Sequence, residues 1–265
     1  MAAAERRWKL GYNTLTWAET RDPDLERVFA TIREAGWEGI ELLDNDANWS
    51  GPPSRVRAML ERVGLRAIAM LGGVQIDDAR RARQLELQKR MIEYGAELDC
   101  EAYVFIGGDR VFRRQTTDDD IRRLADVADA LVEHAEAYGM TANHHSHPRC
   151  TVEREEEQDR LLAIADPRLR VCLDVGISVF MDEDYLGQIQ RYAGRMGYVH
   201  LKDWGHGKYC ILGQGTRGVD WGEVLGALTA TGYEGWVTTE LSWYAETDAD
   251  ASCLANRDYL RALGY

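Results

Sequence analysis

The sequence predicts a single (β/α)₈ barrel spanning residues 1–265. Three observations carry that expectation. Short apolar runs alternate with longer amphipathic segments, the pair recurs eight times in strict order, and the chain of 265 residues is close to the roughly 250 that such a barrel occupies. The rival doubly wound sheet would carry a glycine-rich fingerprint after its first strand. Here that stretch reads Gly11-Tyr12-Asn13-Thr14-Leu15-Thr16-Trp17, with no GxGxxG. No low-complexity linker or break in composition divides the chain.

The apolar runs place strands at 10–17, 39–43, 66–71, 102–106, 140–145, 170–174, 197–202 and 235–241. Helical patterns fill the intervals. Residues 24–35 put Leu25, Val28, Phe29 and Ile32 on one face, and 54–63 follow Pro52-Pro53, a helix start. Residues 79–98 are long and charged, and 118–138 repeat apolar residues every three or four positions. The remaining helices are expected at 153–164, 183–193, 221–231 and 249–263. Gly36, Gly64, Gly139, Gly194 and Gly232 stand at helix-to-strand turns, where a left-handed cap is expected.

Composition narrows the function classes. Hydrophobic residues make up 45% of the chain and charged residues 29%, enough to bury a substantial core. No window approaches the roughly 18 uninterrupted apolar residues of a membrane helix, and 1–10 lack the apolar region of a secretory signal. The five cysteines (Cys100, Cys150, Cys172, Cys210, Cys253) are scattered, odd in number and never in CxxC spacing. That pattern fits reduced thiols in a cytoplasmic protein, not a disulfide framework or zinc ribbon. A net charge of -13 disfavours a nucleic-acid partner and suits a neutral small-molecule substrate; a homo-oligomer remains open.

In a barrel of this kind the active site lies at the C-terminal ends of the strands. Strand 5 runs into Asn143-His144-His145-Ser146-His147, strand 6 ends at Asp174, strand 7 contains His200, and strand 8 ends at Glu240. Four consecutive strands thus deliver His145, Asp174, His200 and Glu240 to one rim. Each has a plainer explanation: Asp174 as a helix N-cap, Glu240 in a rim salt bridge, His200 as a hydrogen-bonded core histidine. Their convergence favours one divalent metal ion, because a carboxylate flanked by apolar residues is costly to bury without a cation. Mixed imidazole and carboxylate donors suit Mn²⁺, Co²⁺, Fe²⁺ or Zn²⁺ better than Ca²⁺; Mn²⁺ is the expected ion, with Mg²⁺ a further alternative.

Residues two apart on a strand share a face, so His145 and His147 point into the barrel mouth and His144 toward the helices. One ligand per strand assigns His145 to the metal and His147 to acid–base duty; a shell containing both histidines is the alternative. Asn143 shares their face one step deeper. Lys202, two residues beyond His200, faces the same side and is placed to stabilise an oxyanion or assist a leaving group, or else to pair with Asp203 or Glu240. Asn13, Trp17, Glu41 and Trp243 lie at or near strand ends and are candidates to line a sugar pocket. Arg217 is a candidate anion ligand or a solvated surface arginine. No phosphate-gripping glycine loop follows strands 7 and 8, which argues against a phosphorylated substrate.

Several stretches resemble the xylose-isomerase-like superfamily of sugar isomerases, epimerases and dehydratases. They are Ala35-Gly36-Trp37-Glu38-Gly39-Ile40-Glu41, Leu173-Asp174-Val175-Gly176, Val199-His200-Leu201-Lys202-Asp203, Leu212-Gly213-Gln214-Gly215 with Val219-Asp220-Trp221, and Glu240. The likeness covers nearly the whole chain and implies a metal-dependent enzyme acting on a sugar-like polyol or ketone. Epimerases of that superfamily usually carry Glu-x-His at the end of strand 5, with two glutamates working as acid and base. This chain has His145-x-His147, or Asn143-x-His145 in another register, and so lacks the strand-5 glutamate. A His-x-His run is similar to the inosose dehydratase subgroup, as is Thr151-Val152-Glu153 with Glu155-Glu156-Glu157; Arg149-Cys150-Thr151 departs from the Gly-Thr that often follows there.

The expectation is therefore a lyase that abstracts a proton alpha to a ketone, with His147 as base and Lys202 and Glu240 assisting; a sugar isomerase or epimerase is the alternative. An endonuclease IV-like DNA-repair enzyme would share the barrel, but it needs three metals and a basic surface. A barrel that only binds or scaffolds would hold no stoichiometric metal.

Overall fold

The computed structural model describes residues 6–18, 24–44, 51–108, 114–242 and 248–265. Eight parallel strands close on themselves: β1 (Lys9–Asn13), β2 (Gly39–Leu43), β3 (Ala67–Val74), β4 (Ala102–Gly107), β5 (Thr141–His145), β6 (Arg170–Asp174), β7 (Met196–Leu201) and β8 (Trp236–Thr239). Each pairs with its sequence neighbours, and β1 pairs with both β2 and β8. The helices outside are α1 (Leu25–Ala35), α2 (Pro53–Val63), α3 (Arg81–Ala96), α4 (Asp118–Ala137), α5 (Glu155–Ile164), α6 (Val175–Phe180), α7 (Tyr185–Arg191), α8 (Trp221–Ala230) and α9 (Ala249–Ala262). This is the (β/α)₈ barrel that the alternation predicts. No described helix is long and apolar enough to cross a membrane.

Local chemistry sets the ends of these elements. The Asp24 carboxylate accepts from Arg27 N to open α1, and Gly36 closes it at φ 90°. Thr117 and Asp120 form a capping box at the start of α4, which buries Ile121, Leu124, Ala128, Leu131 and Ala135 at helical spacing. Of the five glycines expected in the left-handed region, Gly36, Gly64, Gly139 and Gly232 adopt it. Gly194 does not; it lies in a turn where the Arg170 guanidinium donates to its carbonyl at 2.9 Å.

Two further departures lie at the mouth. The first strand does not run to Trp17, because Asn13 turns its side-chain oxygen onto Leu15 N (2.6 Å) and starts a 3-10 turn over Thr14–Trp17. Beyond β7, Asp203–Gly205 pairs antiparallel with Lys208–Cys210. His206 and Gly207 join them, both at positive φ (53° and 79°), the backbone that a tight two-residue hairpin turn requires.

Alternation along the strands separates two apolar cores. Ala69, Leu71, Val104, Cys172, Tyr198 and Trp236 fill the barrel interior, joined by Ile68 where the β2–β3 register shifts and alternation breaks. The larger core lies between strands and helices and includes Leu10, Ile40, Phe105, Leu131, Val199 and Leu225. Along β6 the rule is plain: Val171 and Leu173 join the outer core, while Cys172 and Asp174 face the axis.

Candidate metal centre

The ends of β5 to β8 bring four donors together. His145 is the last residue of β5 and Asp174 the last of β6, His200 is beside Asp174 in the β6–β7 register, and Glu240 directly follows β8, its amide donating to Leu201 O at 3.0 Å. One ligating atom from each residue lies within 4.8 Å of those of the other three, and all four residues are buried. His145 Nε2 is 3.3 Å from Asp174 Oδ2 and 3.9 Å from Glu240 Oε2; His200 Nδ1 is 2.8 Å from Glu240 Oε2 and 4.0 Å from Asp174 Oδ2.

The surrounding hydrogen bonds aim these atoms. His145 Nδ1 donates to Ser146 O (2.6 Å), which leaves the Nε2 lone pair facing the cluster. His200 Nε2 donates to Glu41 Oε2 (2.8 Å), which leaves Nδ1 facing it, and Asn13 Nδ2 holds Glu41 Oε2 from the other side at 2.5 Å. A carboxylate behind a ligating imidazole fixes its tautomer and raises its basicity. Asp174 serves twice: Oδ1 caps α6 by accepting from Ile177 N at 3.0 Å, and Oδ2 is turned inward. The helix cap thus uses one oxygen, and the other is left facing His145, His200 and Lys202.

This donor set fits a divalent cation. Apart from the Lys202 ammonium beside Asp174 Oδ2, the buried atoms Asp174 Oδ2, His200 Nδ1 and Glu240 Oε2 have no hydrogen-bond donor directed at them among the described residues. Buried acceptors crowded together in this way demand positive charge. The same demand shows in the ionisation of the group. Burial opposes protonation of His200, yet Cys172, Glu41 and Glu240 beside it raise its pKa well above the ordinary imidazole value. Burial opposes charge on Asp174 and Glu240 too, but the Lys202 ammonium holds both below the usual carboxylate range. Lys202 Nζ stands 2.7 Å from Asp174 Oδ2 and 3.3 Å from Glu240 Oε1, and these carboxylates keep it protonated despite full burial.

His147 lies next to this group, its ring centroid 5.9 Å from that of His145. Nδ1 donates to Pro148 O at 2.9 Å, and burial, with His145 and Lys202 nearby, pushes the ring down to about 4. It is therefore a neutral imidazole at pH 7 with its Nε2 lone pair available. His144 turns to the helices as its parity predicts and bonds Gln158 Oε1 through Nδ1 at 2.7 Å. Asn143 points down the strand: its amide donates to Thr141 O (3.0 Å) and Tyr103 O (3.3 Å), and it is not among the clustered donors.

The other sequence candidates separate clearly. Asn13 and Glu41 are fully buried and tied to His200, so their geometry is that of supports for a donor rather than of a pocket lining. Trp17 is buried in the outer core, its indole donating to Asp250 at 2.8 Å. Arg217 is exposed and paired with Asp182 at 2.8 Å, as a surface arginine would be. Trp243 lies outside the described residues. Lys202 does not pair with Asp203. Asp203 instead accepts from Trp204 N, Gly213 N, Gly215 N and Trp221 Nε1 at 2.8–3.1 Å, anchoring the segment after β7.

The family-like stretches at Asp203 and Leu212-Gly213-Gln214-Gly215 mark this segment in the sequence, but the Asp203–Cys210 hairpin within it was not expected. It brings Tyr209 against Lys202 (Nζ 4.8 Å from the ring centroid) and packs Tyr209 with Trp204 and Phe180. Two glycines make the approach possible. A Cβ on Gly176 would lie 2.2 Å from Lys202 O, and one on Gly215 would lie 1.9 Å from Asp203 Oδ1.

Relatives and solved structures agree with this architecture. The chain is 26% identical to an inosose dehydratase of Geobacillus kaustophilus over 88% of its length and 87% of the relative's. It is 30% identical to an inosose dehydratase of Bacillus licheniformis over 86% and 83% of the two chains. The solved structure of an L-ribulose 3-epimerase superposes with a TM-score of 0.84 at 22% identity, over 97% of this chain and 94% of that one, a likeness of fold. A family model described as xylose isomerase-like TIM barrel matches residues 29–263, and the chain belongs to that family.

Proposed function

We propose that this chain is a divalent-metal-dependent lyase that removes water from a polyol ketone, a keto-sugar or keto-cyclitol. The observation that carries the proposal is the inward set of His145 Nε2, Asp174 Oδ2, His200 Nδ1 and Glu240 Oε2, within 4.8 Å of one another, with the first three aimed by their own neighbours. These four residues would hold the ion, and Mn²⁺ is the reading their mixed nitrogen and oxygen chemistry favours, with Co²⁺, Fe²⁺, Zn²⁺ and Mg²⁺ as alternatives. Bound there, a divalent ion supplies Lewis acidity toward a ketone and its neighbouring hydroxyl.

The protein's own groups supply the proton chemistry. His147, uncharged at neutral pH, takes the proton alpha to the carbonyl at Nε2. Lys202, kept cationic by Asp174 and Glu240, stabilises the oxygen on which negative charge develops, and the proton taken up by His147 is returned to the departing hydroxyl, which leaves as water. Phe180, Trp204 and Tyr209 supply apolar surface beside it, suited to the carbon face of a ring. β5 offers histidines where paired-glutamate epimerases carry an acid, and the two dehydratase relatives match over most of the chain.

The reaction is tested by incubating the Mn²⁺-loaded protein with a keto-cyclitol in deuterated water and following mass and proton NMR. Loss of water supports the lyase. Deuterium wash-in with the molecular formula retained would replace it with an isomerase or epimerase.

A further inference from the structure

Directly beneath the four donors, Cys172 faces the barrel axis from β6, two residues before Asp174. It is buried in the interior apolar cluster that also holds Ala102, Val104, Tyr198 and Trp236, with its thiol within hydrogen-bonding reach of His200. A ligating atom from each of His145, Cys172 and His200 falls within the same 4.8 Å limit as the four-donor set. The two sets share both imidazoles and differ in the rest: carboxylates above, one sulfur below.

We infer that the site has a second coordination mode, in which a thiophilic divalent ion is held by His145, His200 and the Cys172 thiolate. This inference rests on the metal-centre reading above. Ligand softness decides between the modes: oxygen-preferring ions such as Mn²⁺ and Mg²⁺ favour the set containing Asp174 and Glu240, while Cd²⁺ and Zn²⁺ gain from exchanging a carboxylate for sulfur. Capture forms a metal–sulfur bond and releases the Cys172 proton to solvent, so it balances without any oxidant. Because both imidazoles are shared, one ion excludes the other. Such an ion would sit among apolar side chains on the floor of the site, drawn away from Lys202 and His147. Cd²⁺, the softest of these ions, would thus compete with the working ion rather than substitute for it.

The test is a titration of the chelator-treated full chain with Cd²⁺ alone, followed by the ultraviolet cadmium–thiolate charge-transfer band and by calorimetry. One ion per chain is expected, with a band of one-thiolate amplitude. Saturation with Mn²⁺ beforehand should suppress that band, a measurement that needs no variant. Cys172→Ala should abolish the band and weaken Cd²⁺ by about tenfold or more while leaving Mn²⁺ affinity unchanged. Cd²⁺ binding without the band overturns the sulfur mode and leaves the four-donor centre standing. So does a band that persists under Mn²⁺ saturation or in Cys172→Ala, since it would come from another cysteine. Failure of Cd²⁺ and Mn²⁺ to bind at all would remove both readings.

Discussion

The two halves of the barrel end differently. From β5 to β8 the inward residues at the mouth are His145, Asp174, His200 and Glu240, all capable of binding metal. On β3 and β4 the inward residues are apolar: Ala69, Leu71, Val104 and Ile106, with Ile106 directly beside His145 in the register. On β1 and β2 they are Asn13 and Glu41; Glu41 reaches across the interior to His200, and Asn13 holds Glu41. One half holds reactive groups, and the other supplies a low-dielectric wall and one polar brace. The wall matters as much as the donors, because burial strengthens both the attraction of the carboxylates for a cation and the cost of leaving them without one.

Substitutions in the two halves should therefore fail in different ways. The largest effect is expected for Asp174→Asn, which can keep the α6 cap but loses the inward charge. Metal affinity should fall by more than the roughly 100-fold ceiling for supporting residues, with activity lost alongside. His147→Ala should keep the metal and lower kcat by about 10²- to 10⁴-fold, read by steady-state kinetics beside a metal titration. Glu41→Gln lies in the other half yet acts on this one. It should weaken metal binding by about 10- to 100-fold through His200, and equal affinity in wild type and variant would separate Glu41 from the centre.

Ile68→Ala, deep in the apolar wall, should cost about 2–5 kcal/mol in urea unfolding and leave metal affinity unchanged. Thr117→Ala, far from the mouth, should cost about 1 kcal/mol through the lost α4 cap and nothing else.

The same contrast explains what could be read from the sequence. The fold was legible because eight apolar runs and their helices repeat the βα order, and local residues such as Asp24, Thr117 and Gly36 mark the ends. The convergence of His145, Asp174, His200 and Glu240 was legible because each stands at a strand end, where parity alone decides whether it faces inward. His144 and His145 are adjacent and equally polar, yet one bonds Gln158 outside and the other faces Asp174 inside, as alternation requires.

Depth was not legible. Glu41 has the right parity for a pocket, but its partner is His200, 159 residues away, and only barrel closure brings β2 opposite β7. Trp17 escaped strand parity because Asn13 ends β1 early. The Asp203–Cys210 hairpin turns on His206-Gly207 rather than the Asn-Gly or Asp-Gly that signals such a turn, so Tyr209 could not be placed beside Lys202. Cys172 reads as one more scattered thiol until the register sets it beneath the donors.

The proposed function requires one ion bound by four strand ends. Its most direct test is titration of the chelator-treated chain with Mn²⁺, counting free ion by electron paramagnetic resonance. One tightly bound ion per chain is expected in the wild type, and none at the same concentrations in His200→Ala. Absence of stoichiometric binding, or binding that His200→Ala leaves intact, would contradict it.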